Sequence, residues 1–215
     1  MPEGKRVPVV VLVSGSGSIL QSLIEAASDP EYGLEIVGVG ADRAGIEGLR
    51  RAERAGIATV VCPVRDYPTR EQWDIALSGH LNALLPSAQD AQPAKQAHRW
   101  VISAGFMKVL GPSVLEAFTV LNTHPALLPA FPGAHAVADA LAYGARVTGT
   151  TVHLVDAGVD TGPIVAQRAV PIRADDTEET LHERIKIVER DLLIRSAHDI
   201  ITGGFTQSSR KVTLA

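Results

Sequence analysis

The sequence predicts an α/β chain built on an open, mixed and mostly parallel sheet with helices on both faces, and three observations carry that prediction. Short β-branched runs alternate with segments whose apolar residues recur at helical spacing. The first run passes to its helix through a glycine-rich loop, Ser14-Gly15-Ser16-Gly17-Ser18. Two later runs, 148–155 and Ile164–Pro171, are joined by a segment too short for a helical crossover, so they are expected to pair as a hairpin.

Taken in order, Val7–Val13 reads as the first strand, and Ile19, Leu20, Leu23, Ile24 and Ala27 mark the helix after the loop. Residues 34–39 supply a second strand, 49–55 a helix closed by Gly56, and 57–61 a third strand. Thr69 is the N-cap of a long helix reaching about Leu85, with Trp73, Ala76, Leu77, Leu81 and Leu84 on its apolar face. Residues 86–98 read as a loop. Trp100–Ser103 and 119–121 are brief strands separated by 105–110 and a short helix beginning near Pro112. Thr177 starts the last helix: Glu178 and Glu179 complement its dipole, and Leu181, Ile185, Val188 and Leu192 form its buried stripe.

At 215 residues, with 46% apolar and 20% charged residues, the chain is expected to form a single globular domain over 1–215. Val7–Val13 is too short for a membrane span, so no membrane association is expected. A net charge of −4, no run of more than two basic residues and 4% aromatic content argue against nucleic acid as a partner and for small molecules. The single cysteine, Cys62, excludes an internal disulfide and has no partner at metal-ligand spacing; a cytoplasmic location fits it.

Gly15-Ser16-Gly17-Ser18 stands where a strand hands over to a helix, so its amides and the helix dipole converge on an anion, with phosphate the natural guest. It lacks the third glycine of a dinucleotide fingerprint and the lysine of a Walker loop, and a plain βα turn is the alternative. Asn122 and His124 lie two apart at the end of a strand expected to be parallel, which puts both on one face. An amide able to donate to an oxyanion and an imidazole able to carry a proton suit acyl-type transfer. Structurally, Asn122 could instead cap a turn and His124 be a satisfied half-buried ring. Asp160, in a turn-rich segment, is either a turn former or the carboxylate that raises the His124 pKa and keeps it charged near neutral pH. The two prolines and glycine of 127–133 suggest a rigid loop supporting the strand end. Arg70 and Glu189, by themselves, read as solvated helix charges.

Ser14 to Ser18, Ala104-Gly105-Phe106-Met107, Leu121-Asn122-Thr123-His124-Pro125-Ala126-Leu127-Leu128-Pro129 and Asp160-Thr161-Gly162-Pro163 occur in this order along nearly the whole chain. In them the chain resembles the folate-dependent formyltransferase family, in the branch that formylates glycinamide ribonucleotide during purine synthesis. The resemblance implies a Rossmann-like formyltransferase fold, with a phosphate-binding half to about residue 100 and a folate-binding, catalytic half beyond it. It implies that Gly17, Ser18 and Ile19 hold the ribonucleotide phosphate, and that Lys186, Ile187, Val188 and Glu189 bind its ribose portion. Arg70, Met107, Lys108, Val109, Leu110, Asn122, Asp156, Ala157, Gly158, Val159 and Asp160 are implied to contact the folate. Asn122, His124 and Asp160 are implied to be catalytic: His124 the proton donor, Asp160 its tuner.

Ser16 and Ile19 stand where relatives often carry asparagine, Lys108 where they carry arginine, and Thr123 where they carry isoleucine. Lys108 keeps a charge and loses the planar fork. The co-substrate implied is 10-formyltetrahydrofolate, with no metal required, and a homodimer is admitted. The length is expected to leave no room for the extra domains of relatives that formylate initiator methionyl-tRNA or hydrolyse formyltetrahydrofolate. Two rival readings stand beside formyl transfer to the ribonucleotide amine: hydrolysis of formyltetrahydrofolate by the same three residues, and a non-catalytic nucleotide- or folate-binding module.

Overall fold

A computed structural model of the chain describes residues 6–85 and 98–215. Apart from His98, the loop expected over 86–98 lies outside the described residues. The chain divides into two compact units, Met1–Val120 and Leu121–Ala215.

The first unit contains strands β1 (Val7–Val13), β2 (Leu34–Ala41), β3 (Thr59–Val61) and β4 (Trp100–Ser103). They lie in the order β3-β2-β1-β4, and every pairing is parallel. Parallel strands covered on both faces need continuous apolar sequence, and Val9 through Val13 are wholly buried. Helices α1 (Ser18–Ala27), α2 (Glu47–Arg54), α3 (Arg70–Leu84) and α4 (Pro112–Ala117) complete the unit. The Thr69 side chain caps α3 by accepting from the Gln72 N–H, as its position in the sequence predicts. The third strand starts at Thr59 rather than 57. Gly56 at φ +70 turns the chain after α2, and the Ile57 N–H donates back to the Ala52 carbonyl, so Ile57 belongs to a helix-closing motif.

β5 (Thr119–His124) runs into the second unit and includes Asn122 and His124, which the apolar pattern placed beyond its end. The unit adds α5 (Ala136–Tyr143), β6 (Val147–Leu154), β7 (Ile164–Pro171), α6 (Glu178–His198), β8 (Phe205–Ser208) and β9 (Lys211–Leu214). Strand order is β5-β6-β7-β9-β8. The pairings β5–β6, β6–β7 and β8–β9 are antiparallel, and β7–β9 is parallel. The hairpin expected across 156–163 is therefore present, and the sheet class is the mixed, mostly parallel one that the sequence predicts.

The strand carrying Asn122 and His124, expected to be parallel, has β6 as an antiparallel neighbour. Helix α5 and the short, largely exposed β8–β9 pair were not anticipated. Val137 of α5 packs with Val170, Leu181 and Ile185 in a core cluster beneath α6. Thr177 and Thr180 form a reciprocal capping box at the start of α6, and Arg184 pairs with Asp176 just ahead of it.

Candidate active site

The β5–β6 register sets Asn122 opposite His153 and His124 opposite Thr151. Because side chains alternate along each strand, these four residues share one face, and Thr123 and Val152 point to the other. Asn122 Nδ2 lies 3.1 Å from His153 Nε2, and His153 Nδ1 lies 3.0 Å from the Leu154 carbonyl. The Thr151 hydroxyl donates to the Ala126 carbonyl at 2.7 Å and accepts from the Leu128 N–H at 3.0 Å. Thr151 thereby holds the chain that follows β5.

That chain returns to His124. Its Nε2 lies 2.7 Å from the Phe131 carbonyl, while Nδ1 lies 3.3 Å from Asp160 Oδ2. Asp160 Oδ2 also accepts from the Gly133 N–H at 2.8 Å, and Oδ1 lies 3.6 Å from His153 Nε2. Both residues that contact the His124 ring have left-handed backbones, Phe131 at φ 52 and Asp160 at φ 53. Such conformations cost about 1–3 kcal/mol each and persist where surrounding contacts enforce them. Here the enforcing contacts converge on one imidazole.

Electrostatics correct one expectation. Burial pushes the His124 pKa below that of an ordinary histidine; Asp160 and the Phe131 carbonyl push it up without overcoming desolvation, and His153 adds to the depression. The pull of the carboxylate is thus present, as expected, but the net direction is toward the neutral ring and away from the imidazolium. The Asp160 carboxyl is held below the usual carboxylate range by the His153 imidazole beside it, which with the Gly133 N–H and His124 outweighs the opposing effect of burial. Asp160 is ionised and available to pair with His124 once that ring gains a proton.

On the opposite face of β5, Thr123 meets Glu189 of α6. Glu189 is buried, and desolvation raises its pKa against the Thr123 hydroxyl and the charges of Lys186 and Arg190. Lys186, Ile187, Val188 and Glu189 are consecutive in a helix, so about 100° separates each from the next. Ile187 is 63% exposed, Val188 packs on the core cluster, and Lys186 pairs with Glu183 at 2.6 Å. The structure does not bring these four to one surface; Glu189 alone among them is a buried polar group.

In the first unit, Gly17 adopts φ +66 and caps α1 with no side-chain bond, which leaves first-turn amides of Ser18 and Ile19 at the helix start. A Cβ on Gly17 would lie 2.6 Å from Gly48 Cα, so the loop and the start of α2 approach through two glycines. Arg51 braces the same loop, its Nε donating to the Ser16 carbonyl at 2.9 Å.

Farther along, the Met107 N–H donates to Ser14 Oγ at 2.9 Å, and Lys108 Nζ lies 3.3 Å from the buried Asp42 carboxylate. Lys108 thus spends its charge inside the chain. Arg70 is exposed but not free: it lies over the Trp73 ring and donates to the Val109 carbonyl at 2.5 Å. Met107 and Val109 expose their side chains, and Leu110 is buried. Asp156 folds its own turn, accepting from the Gly158 N–H and the Thr161 hydroxyl, with Ala157, Gly158 and Val159 exposed at its tip.

Among the described residues no group of three or more His, Cys, Asp or Glu is placed to hold a metal ion, and no helix is long and apolar enough to cross a membrane. Sequence reasoning missed His153, Thr151 and the Phe131 carbonyl. His153 and Thr151 were legible only through the β5–β6 register, because each stands opposite a recognised residue. A backbone carbonyl leaves no sequence signal.

Comparison with known proteins finds relatives along nearly the whole chain. Residues 7–197 match the formyl transferase family model. The chain is 50% identical over 225 residues to the phosphoribosylglycinamide formyltransferase of Mycobacterium tuberculosis strain H37Rv, covering all of this chain and 97% of that one. It is 38% identical to the human trifunctional purine biosynthetic protein adenosine-3, over 95% of this chain and 19% of that much longer protein. The crystal structure of glycinamide ribonucleotide transformylase 1 from Symbiobacterium toebii superposes with a TM-score of 0.89 at 36% identity, covering 98% and 95% of the two chains. With the Asn122, His124 and Asp160 cluster assembled on a matching fold, the chain belongs to the formyl transferase family.

Proposed function

We propose that the chain transfers the formyl group of 10-formyltetrahydrofolate to the primary amine of glycinamide ribonucleotide, giving formylglycinamide ribonucleotide and tetrahydrofolate in purine synthesis. The observation that carries this reading is the His124 ring held between the Phe131 carbonyl and the Asp160 carboxylate on the same face as the Asn122 amide.

The amine nitrogen forms a bond to the formyl carbon and the carbonyl oxygen becomes an oxyanion. The Asn122 amide donates to that oxygen; donors of this kind contribute on the order of 10²–10³ in rate. Negative charge growing beside His124 raises the ring's proton affinity, so it takes the amine proton as the tetrahedral intermediate forms. Asp160 stabilises the resulting imidazolium. His124 then returns the proton to N10 of the folate as the bond from the formyl carbon to N10 breaks. The ring is thus a proton donor only after it has been an acceptor. The reaction as written balances without a metal ion.

In the first unit, Gly17, Ser18 and Ile19 take the ribonucleotide phosphate on their amides and 107–110 contact the folate; in the second, Glu189 takes ribose hydroxyls and 156–160 contact the folate. A cytoplasmic setting belongs to this reading, in keeping with the single buried cysteine. The test is a two-substrate assay. Product formation strictly dependent on both glycinamide ribonucleotide and 10-formyltetrahydrofolate supports transfer. Formate release without the ribonucleotide would establish hydrolysis, and ligand binding without turnover would establish a binding module.

A further inference from the structure

One buried carboxylate has no part in this mechanism. Asp74 of α3 is 3% exposed, and its two oxygens accept separately from the Gly111 N–H and the Ser113 N–H, each at 2.7 Å. Gly111 is the N-cap of α4 and Pro112, which has no N–H, is its first residue. The carboxylate therefore meets two of the amides that this helix start leaves without intrahelical partners, at the positive end of its dipole.

Arg70, Asp74 and Ser78 recur every four residues and so form one stripe along α3. The stripe reads the backbone beside it in order. Arg70 donates to the Val109 carbonyl, Asp74 accepts from Gly111 and Ser113, and the Ser78 hydroxyl donates to the Ser113 carbonyl at 2.9 Å. The approach leaves no slack, since a Cβ on Gly111 would lie 2.6 Å from Asp74 Cγ.

We propose that Asp74 is a positioning residue for the folate: without touching the ligand, it sets the course of the backbone that presents Met107, Lys108, Val109 and Leu110. The inference rests on the reading that 107–110 bind the folate. The other end of the segment is held by Ser14 on the Met107 N–H and by Asp42 on Lys108, so Asp74 supplies the second anchor. A carboxylate fits because each of its two oxygens faces a different N–H, whereas an amide side chain would set its own NH2 donor against one of them. Burying its charge is tolerated because both bonds are charge-assisted and the helix dipole adds to them.

The test is Asp74→Asn in the full chain, with Gly111→Ala as a second variant that leaves the carboxylate in place and pushes the backbone away. For each, Kd is measured by calorimetry for tetrahydrofolate and separately for glycinamide ribonucleotide, alongside KM, kcat, the melting temperature and amide exchange at Gly111 and Ser113. The expected result is faster exchange at these two amides and a rise of about tenfold in the Kd for tetrahydrofolate and the KM for its formyl derivative. The ribonucleotide Kd and kcat should stay within about twofold to threefold.

Unchanged tetrahydrofolate affinity in both variants, with wild type binding it normally, overturns this inference alone. Parallel weakening of both ligands with loss of cooperative unfolding overturns it in favour of a purely structural role. A wild-type chain that binds no tetrahydrofolate overturns the folate reading itself, and any part for Asp74 in it. If Asp74→Asn does not fold, Gly111→Ala decides.

Discussion

Asn122 and His153 face each other directly across the β5–β6 ladder, with Asn122 Nδ2 3.1 Å from His153 Nε2. An amide group carries two hydrogens, and the ring can engage at most one, so the other remains for an oxyanion. The ring also lies 3.6 Å from Asp160 Oδ1, which makes it the link between the oxyanion donor and the carboxylate. Preorganised donors lose much of their effect when their support is loosened. His153→Ala should therefore lower kcat by about tenfold to a hundredfold while the melting curve stays cooperative. Steady-state kinetics with both substrates saturating checks this, and a kcat within twofold of wild type would falsify the supporting role.

Acidity supplies a second test. His124 must start neutral to take the amine proton, and burial places its pKa below the ordinary histidine value. As pH falls, kcat/KM should hold through the usual histidine range and decline only below it. Asp160 is one of the influences that raise the His124 pKa, so Asp160→Asn should move this acid limb to still lower pH. The same substitution should cut the plateau by about 10²–10³, because the imidazolium intermediate loses its partner. A pH–rate profile of both proteins decides the matter; a limb that stays put or moves upward in Asp160→Asn overturns the assigned electrostatics. Stability carries the same sign. Between the folded pKa of His124 and its unfolded value, the unfolded chain binds more protons, so acidification through that window destabilises the fold. His124→Gln should flatten that dependence in denaturant titrations at successive pH values.

The parallel β/α units of the first half were legible because their strands are continuous apolar runs and their helices carry caps and periodic stripes, as Thr69 and Trp73 of α3 show. Asn122, His124 and Asp160 were legible by residue type and order. Their protonation was not, since it depends on how deeply the His124 ring is buried, and burial is a tertiary property. His153 and Thr151 stayed hidden because a strand sequence does not say which neighbour it pairs with. Asp74 was hidden among interior helix positions, where a carboxylate usually faces water. The β8–β9 pair is largely exposed and only four residues a strand, too short a run for a periodic pattern to mark it.

Glu189 sets stability against binding. Its carboxyl is buried and its pKa is raised by desolvation, so the native chain holds a proton that the unfolded chain releases at lower pH. Stability from this group is present below the unfolded carboxylate pKa and is lost as pH rises toward the folded value. Glu189→Gln removes that loss. The variant should melt about 2–4 °C above wild type at alkaline pH, with the difference vanishing in acid. Its Kd for glycinamide ribonucleotide should rise about tenfold, because an amide nitrogen that only donates replaces one of the two carboxyl oxygens that can accept from ribose hydroxyls. Thermal melts and calorimetry read the two effects separately; a lower melting temperature at alkaline pH would refute the burial cost.

Two glycines of one loop should respond oppositely to the same methyl group. Gly17 sits at φ +66, where an L side chain is strained, and its Cβ would press on Gly48 Cα at 2.6 Å. Gly15 has nothing within 4 Å of a built Cβ and needs no left-handed backbone. Gly17→Ala should therefore cost about 2–4 kcal/mol in stability, combining conformational strain with backbone displacement. It should also raise the Kd for glycinamide ribonucleotide by at least about tenfold, since the first-turn amides of α1 would shift with the loop. Gly15→Ala should stay within about 0.5 kcal/mol of wild type and retain the ligand. Chemical denaturation and calorimetry on the pair separate a phosphate cradle with required geometry from a flexible turn. Equal tolerance at both positions would show the loop to be the latter.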